Sequence, residues 1–358
     1  MTGSCCCSCS KAEDSALIVG LLSLARRLGK DPLLVQAAGG NISVKLPSER
    51  LLVKASGVRL EELSMKRGIA SADLDALRRG LASLESLRSQ AARMSAYTRL
   101  LTRSGKSPGA RVSMETGFHA ALSSTYVAHT HSVGSLLLGL LPEKIARKRI
   151  AQALGTRTRV GFIPACMPGL DLTLRIQTAD RPTGDSGGTA LWVLNNHGLV
   201  WAADTAQEIL NLSEELERRL RADFKLRRYP MPRKAGLCRA QGSCALPADS
   251  AQGSWQELCF CAWPDFRMST RPWFPDFAVY FDLWSRSSAD LLVCGKRHIL
   301  LRARTPQESR DKAEVAYAQA LVSTLAAGRK TRLRPLPPAM VAAIKGLTLE
   351  KLRMRSTP

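Results

Sequence analysis

Apolar residues along the chain recur with two different periods, and the switches between them mark the elements. Leu17, Ile18, Leu21, Leu22, Ala25 and Leu28 fall at helical spacing and stop at Gly29, which predicts an amphipathic first helix. The glycine turn Ala37-Ala38-Gly39-Gly40-Asn41 then enters a short alternating strand ending near Lys45. A second strand, Leu51 to Ala55, stops at Ser56-Gly57, and the Pro47-Ser48-Glu49-Arg50 turn between the two predicts a hairpin. Leu74, Leu77, Leu81, Leu84 and Leu87 return to the helical period, and Ser104 to Gly109 reads as a loop.

A further helix is predicted from near Ser113. The strand Tyr126 to Thr130 runs into His131 and a Leu-rich helix, and the basic run Lys144 to Arg149 decorates the next one. Pro164 and Pro168-Gly169 mark a turn, and Arg181 to Gly188 is a polar loop. Ala190 to Ala202 predicts a hairpin with Asn195-Asn196-His197-Gly198 at its tip. Thr205 with Glu208 forms a capping box before a long charged helix.

Beyond Tyr229 the pattern breaks down. Residues 230–273 are rich in Gly, Ser, Pro, Cys and Trp without a period, which predicts an irregular insertion. Ala278 to Leu283, Leu291 to Cys294 and His298 to Ala303 then predict strands, and Ser309 to Ala327 a helix. A basic, Pro-rich connector from Arg329 to Pro338 leads to a last short helix. The expected organisation is a disordered Cys-rich tail over 1–12, an α/β domain over 13–229, the insertion, and an extension over 274–358 packed on the same domain.

Composition changes this picture in one respect. A chain of 358 residues with 45% hydrophobic residues has the makings of a packed core. Its 52 Lys and Arg against 30 Asp and Glu leave a net charge of +22. Such a charge fits a solvated basic surface, a nucleic acid, an acidic membrane surface or an anionic small substrate. The basic residues are scattered, and the stretch from Glu217 to Lys234 is interrupted by Asp223 and apolar residues, so nucleic acid and membrane gain no particular support. No apolar run approaches the ~20 residues that span a bilayer. Glu13 and Asp14 precede the run Ala16 to Ala25 and Arg26-Arg27 follow it, unlike a signal peptide. A cytoplasmic protein is expected.

Ten Cys are too sparse for a disulfide scaffold. Cys5, Cys6, Cys7 and Cys9 suit a frayed terminus, with palmitoylation or a soft metal as alternatives. Cys238, Cys244, Cys259 and Cys261 lack the spacing of a zinc ribbon or knuckle and read as loop thiols. Trp255, Trp263, Trp273 and Trp284 read as packing residues and His298 as a structural one.

The candidate chemistry lies in the other histidines. His129 and His131 are two apart on a strand, so both imidazoles point to one face, a spacing that suits two ligands of one metal. His197 at the hairpin tip is a candidate third ligand, and three His with an open position is the pattern of a catalytic zinc. Glu115 and His119, four apart, share a helix face. A carboxylate beside a Lewis acid can act as general base toward carbon next to a polarised carbonyl.

The order of these motifs carries more than any one of them. Gly-Gly-Asn-Ile-Ser from Gly39, Lys54-Ala55-Ser56-Gly57, Ser113-Met114-Glu115 with His119, His129-Thr130-His131 and Asn196-His197-Gly198 follow one another. The chain resembles the class II aldolase/adducin family, and over Met114-Glu115-Thr116, His129-Thr130-His131 and Ile163-Pro164 with Met167-Pro168-Gly169 it is similar to the aldolase half of bifunctional rhamnulose-phosphate aldolase/dehydrogenase proteins. The similarity covers roughly residues 15–225, with a weaker echo from Phe274-Pro275-Asp276 onward.

The resemblance implies a three-layer α/β/α domain around a mainly antiparallel sheet. It implies one zinc per chain on His129, His131 and His197, and Glu115 as catalytic acid/base. Asn41, Ser56, Gly57 and Ser113 would line the substrate phosphate and hydroxyl pocket. The implied activity is aldehyde-lyase cleavage of a ketose phosphate by retro-aldol chemistry through an enediolate, in a homo-oligomer, by resemblance a tetramer. Relatives of the same fold are sugar-phosphate epimerases, dehydratases or decarboxylases, and an adducin-like binding module without turnover is a further alternative. Met114 stands where fuculose-type enzymes carry a second phosphate-binding Ser, no Tyr occurs between Tyr126 and Tyr229, and no Gly-x-Gly-x-x-Gly fingerprint of a dehydrogenase is present.

Overall fold

The computed structural model describes residues 6–84, 86–155, 158–179, 188–235, 254–281, 290–294, 297–327 and 334–347. α1 (Cys6–Gly29) is followed by β1 (Asn41–Leu46), β2 (Arg50–Lys54), β3 (Ile69–Asp73), α2 (Leu74–Leu84), α3 (Gln90–Ser104) and α4 (Thr116–Ala121). Next come β4 (Tyr126–Thr130), α5 (Val133–Gly139), α6 (Glu143–Leu154), β5 (Arg159–Ile163), α7 (Leu170–Ala179), β6 (Ala190–Leu194), β7 (Gly198–Ala203) and α8 (Ala206–Asp223). The chain continues through β8 (Arg233–Ala235), β9 (Ser254–Cys259), α9 (Pro275–Tyr280), β10 (Leu291–Cys294), β11 (His298–Ala303), α10 (Pro306–Ala326) and α11 (Pro338–Gly346).

Seven strands form one sheet in the order β3-β2-β1-β4-β7-β6-β5. The sheet is mixed but mostly antiparallel: β5 and β6 pair in parallel, because α7 carries the chain back across the sheet between them. Side chains alternate between its two faces. Leu191 and Val193 of β6 join an apolar cluster with Leu21 of α1, Leu136 of α5 and Ile209 of α8. Ala190, Trp192 and Leu194 of the same strand join Phe118 of α4 and Ile176 of α7. Strands buried on both faces read as near-continuous apolar runs, which is why Ala190 to Ala203 is so apolar in sequence.

Several elements differ from the sequence expectation. α1 begins at Cys6, inside the segment expected to be a disordered tail, because no Pro or Gly interrupts the chain between Cys5 and Val19. α4 begins at Thr116 rather than near Ser113, with Glu115 at its N-cap. Of the strand expected over Ala278 to Leu283, residues Ala278 to Tyr280 belong to α9, and residues 282–283 lie outside the described residues. Pro275 supplies the fixed φ of a helix start, and Phe277, Ala278, Tyr280 and Phe281 are buried with no exposed face to create a legible period. The region expected to be irregular contributes β8 and β9 to a second, antiparallel sheet ordered β10-β11-β9-β8. Trp284, Arg329, Lys351 and residues 236–253 lie outside the described residues.

The extension shares the main core: Val315 and Leu321 of α10 and Phe277 of α9 belong to the same apolar cluster as Leu21 and Trp201. Arg59 fastens it electrostatically. Its buried guanidinium donates to both carboxylate oxygens of Glu314, each at 2.8 Å, and pairs with Asp311. Glu314 also accepts the Ala37 N–H at 2.9 Å, so α10 holds the glycine turn before β1. Among the described residues, no helix is long and apolar enough to cross a membrane.

β4 and β7 meet closely where the hairpin β6–β7 turns back, and only glycine fits there. A Cβ on Gly198 would lie 2.0 Å from the Thr130 carbonyl oxygen and 3.1 Å from His131 Cα. Gly198→Ala is expected to push β7 off β4 and to cost about 1–3 kcal/mol of stability, read by urea unfolding, as overpacking does elsewhere. An unchanged midpoint would show that the strand end can yield.

Candidate metal centre

Three elements bring the ligands together. β4 presents His129, and His131 follows directly after the strand. The β6–β7 turn presents His197, held by the hydrogen bond from its N–H to the Leu194 carbonyl (3.1 Å) and by Asn196 in the left-handed region at φ 60°. Asn and Asp tolerate that conformation better than other side chains. Glu115 caps α4, its N–H bonded to Ser113 Oγ at 3.2 Å.

The geometry is that of a ligand cluster. One ligand atom from each of Glu115, His129, His131 and His197 lies within 4.8 Å of all the others, and all four residues are buried. The Nε2 atoms of His129 and His131 are 3.1 Å apart. Glu115 Oε1 stands 3.5 Å from His129 Nε2 and 3.4 Å from His197 Nε2. His129 Nδ1 meets the Leu199 carbonyl at 2.8 Å, and His131 Nδ1 meets the Asp276 carboxylate. A carbonyl can only accept, so His129 carries its proton on Nδ1, and the carboxylate selects the same tautomer in His131. Both Nε2 lone pairs then face the cluster. Burial pushes the His197 imidazole down to about 3, and His129 adds to the effect, so it is neutral at physiological pH. Imidazole nitrogens and a carboxylate oxygen converging on one point are the donor set a divalent cation requires.

Ser56, Gly57 and Ser113 line the cleft over this cluster, with Glu115, His131, His197 and Asp276. Asn41 does not line the cleft: it is buried at the start of β1, opposite His129 in register, and its Oδ1 has no hydrogen-bond partner among the described residues. His119 sits apart from the cluster. It is buried against Phe118, its Nδ1 is 2.8 Å from Ser43 Oγ, and burial keeps it neutral, with its pKa well below the ordinary value. Glu115 and His119 therefore do not act as a pair.

Sequence reasoning missed four contributors. Asp276, buried, holds His131 from 145 residues away. Asn196 donates to the carbonyls of Trp273 and Arg334, both at 2.8 Å, which ties the His197 turn to the extension. Tyr97 donates to the Met114 carbonyl at 2.7 Å and accepts the Gly117 N–H at 3.1 Å, bracketing Glu115. Lys54 lies buried beside the cleft, its Nζ bonded to the carbonyls of Ala38 (3.0 Å) and Val58 (2.8 Å). Phe274-Pro275-Asp276 and Lys54-Ala55-Ser56-Gly57 were visible as motifs, but neither Asp276 nor Lys54 has a local period that marks it. Gly39 fits the crowding, since a Cβ there would lie 2.7 Å from both Asp276 Oδ2 and His131 Nδ1.

A mixed α/β chain with a buried Glu and three His able to hold a metal is the class this site defines. Residues 20–223 match the family model of the class II aldolase and adducin N-terminal domain, and the chain belongs to that family. Among curated proteins no sequence match was found. The structure is similar to the N-terminal class II aldolase domain of a conserved protein from Thermoplasma acidophilum, at 27% identity over 57% of this chain and 92% of that one (TM-score 0.46). It is also similar to an aldolase II superfamily protein from Pseudomonas syringae, at 16% identity over 60% of this chain and 75% of that one (TM-score 0.40). A third similar structure is L-fuculose-1-phosphate aldolase from Thermus thermophilus, at 17% identity over 59% of this chain and 95% of that one (TM-score 0.36).

Two outcomes are expected from this geometry. Asp276→Asn keeps the shape but not the charge behind His131, and metal affinity should fall by about 10- to 100-fold in chelator competition. Unchanged affinity would make Asp276 a packing residue only. In the metal-free chain, an unfolded His197 binds its proton below about 6.5, whereas the folded one does so only below about 3. The unfolded state takes up more protons across that window, so stability falls as pH drops through it. His197→Gln should flatten this part of the profile in thermal unfolding, and an unaltered slope would contradict it.

Proposed function

We propose that the chain is a zinc-dependent aldehyde-lyase that cleaves a ketose phosphate by retro-aldol chemistry. The observation that carries the reading is Glu115: a buried carboxylate 3.4–3.5 Å from two imidazole Nε2 atoms, in a cleft whose lining includes Ser56, Ser113, Gly40 and Gly57. Membership of the class II aldolase and adducin family supports lyase-type chemistry. The division of β6 side chains between two apolar clusters supports the three-layer α/β/α reading. The proposed catalytic unit is 13–229, completed by the 274–358 extension.

His129, His131 and His197 would hold the zinc through Nε2. Bound there, the ion supplies a Lewis acid that draws electron density from a substrate carbonyl. Glu115 Oε1 takes the proton from the substrate hydroxyl as the carbon–carbon bond breaks and returns one to the product carbon. Ser56 and Ser113 offer hydroxyl donors to the phosphate, and Gly57 lets its backbone approach closely. Arg111, whose guanidinium donates to Ser56 Oγ at 3.4 Å, brings positive charge to that rim. The second reading keeps the same metal site for a sugar-phosphate epimerase, dehydratase or decarboxylase; among the described residues lining the cleft there is no Tyr.

His129→Ala should lower bound zinc by on the order of one ion per chain. Glu115→Gln should keep the zinc and lose activity on the order of 10²- to 10⁴-fold, measured as triose phosphate release from a panel of ketose phosphates. Full activity in Glu115→Gln would exclude it as the base. Zinc-loaded wild type that releases no triose phosphate from any member would move the assignment to the second reading.

A further inference from the structure

The second sheet carries a ligand cluster of its own, which the family chemistry does not use. Cys259 ends β9 and Cys261 lies in the turn after it, while His298 opens β11 directly opposite Cys259 in register. One ligand atom from each of the three lies within 4.8 Å of the other two. Cys261 Sγ is 3.7 Å from His298 Nε2, and the two sulfurs are 2.6 Å apart. That separation is longer than the ~2.05 Å of a disulfide bond and shorter than the resting contact of two unbonded thiols.

Three features around the cluster are those of a metal site. His298 Nδ1 lies 2.6 Å from the carboxylate of Glu257, a buried residue one strand away. This pairing puts the proton on Nδ1 and leaves the Nε2 lone pair facing the sulfurs, the carboxylate–histidine arrangement found behind metal ligands. The Cys261 N–H donates to Cys259 Sγ at 3.4 Å, which fixes the position of that sulfur. The turn is also held before any ion arrives: Phe260 N–H bonds to the Arg297 carbonyl and the Arg297 guanidinium to the Cys261 carbonyl, both at 2.8 Å.

We propose that Cys259, Cys261 and His298 form a second metal site, taking zinc or another thiophilic divalent ion. Two thiolates and an imidazole are the ligand types that select such ions over magnesium or calcium. Metal–sulfur and metal–nitrogen bonds of about 2.3 and 2.0 Å in tetrahedral array place the sulfur and nitrogen about 3.5 Å apart, close to the observed Cys261–His298 spacing. The sulfur pair opens to its own tetrahedral distance by rotation of Cys261, which is exposed. The bound ion ties the end of β9 to the start of β11. The site has no substrate cleft role and is independent of the aldolase reading.

Cobalt(II) tests this in the full, reduced chain. A sulfur-to-cobalt charge-transfer band in the near ultraviolet is expected, and the buried Glu/His cluster cannot produce it because it has no sulfur. Cys261→Ser, at an exposed position, and His298→Ala should each remove that band and lower bound cobalt by on the order of one ion per chain. His129→Ala should leave the band in place. A band that neither Cys261→Ser nor His298→Ala changes would put the sulfur ligation elsewhere and overturn the site. So would a Cys259–Cys261 disulfide found by peptide mass spectrometry in the cobalt-loaded protein.

Discussion

Burying three imidazoles and a carboxylate at one point is the constraint on which the rest of this structure depends. Out of water, a buried ring N–H needs an acceptor. His129 spends Nδ1 on the Leu199 carbonyl of the neighbouring strand, and His131 spends its own on Asp276. Those two partners set the tautomers, the tautomers aim both Nε2 atoms at Glu115, and that convergence is what makes the cluster a candidate cation site. The close approach of β7 to β4 at Gly198, and of the Gly39 turn to the Asp276–His131 pair, follows from the same need to crowd polar groups without solvent.

Much of that crowding is enforced from outside the segment that defines the family. The family match ends at residue 223, yet Asp276, Asn196's acceptors at Trp273 and Arg334, and Glu314 behind Ala37 all bring later residues against the site. Arg59 links Glu314 and Asp311 in a buried ion cluster, where removing one partner leaves an uncompensated charge. The extension is therefore part of the machinery that positions the ligands, and it shares the main apolar core. Arg27, Arg50, Arg79, Arg147, Arg218 and Arg302 each pair with a carboxylate, but such pairs carry no net charge, so the excess of +22 lies outside them. Lys54 lines the cleft, and Arg111 stands beside it through its bond to Ser56.

How much was legible in the sequence depended on how local the information was. The first hairpin, the strand before His131, the 190–202 hairpin and the Thr205 capping box could all be read from turn chemistry and period, which act over a few residues. The helix at Pro275 could not, because its residues are buried on every side and show no alternation. Of the second sheet, β10 and β11 match the strands predicted at Leu291 to Cys294 and His298 to Ala303, whereas β8 and β9 escaped because they lie in a stretch rich in Gly, Ser and Pro whose pairing partners are remote. His298 read as structural because nothing beside it in sequence is a ligand, and its partners come from another strand.

The sequence by itself determined that His129 and His131 share a face, since a strand's period of two is local, and it placed Glu115 and His197 in the right order around them. It also marked Ser56, Gly57 and Ser113, which do line the cleft. Only the tertiary structure decided that Asn41 is buried at the start of β1 opposite His129, that His119 turns to Ser43, and that Asp276 stands behind His131. The physical reason is range. Backbone period and turn preference are carried by neighbours, whereas the partner that settles a buried imidazole's tautomer is whichever acceptor the packing brings to it, here from 145 residues along the chain.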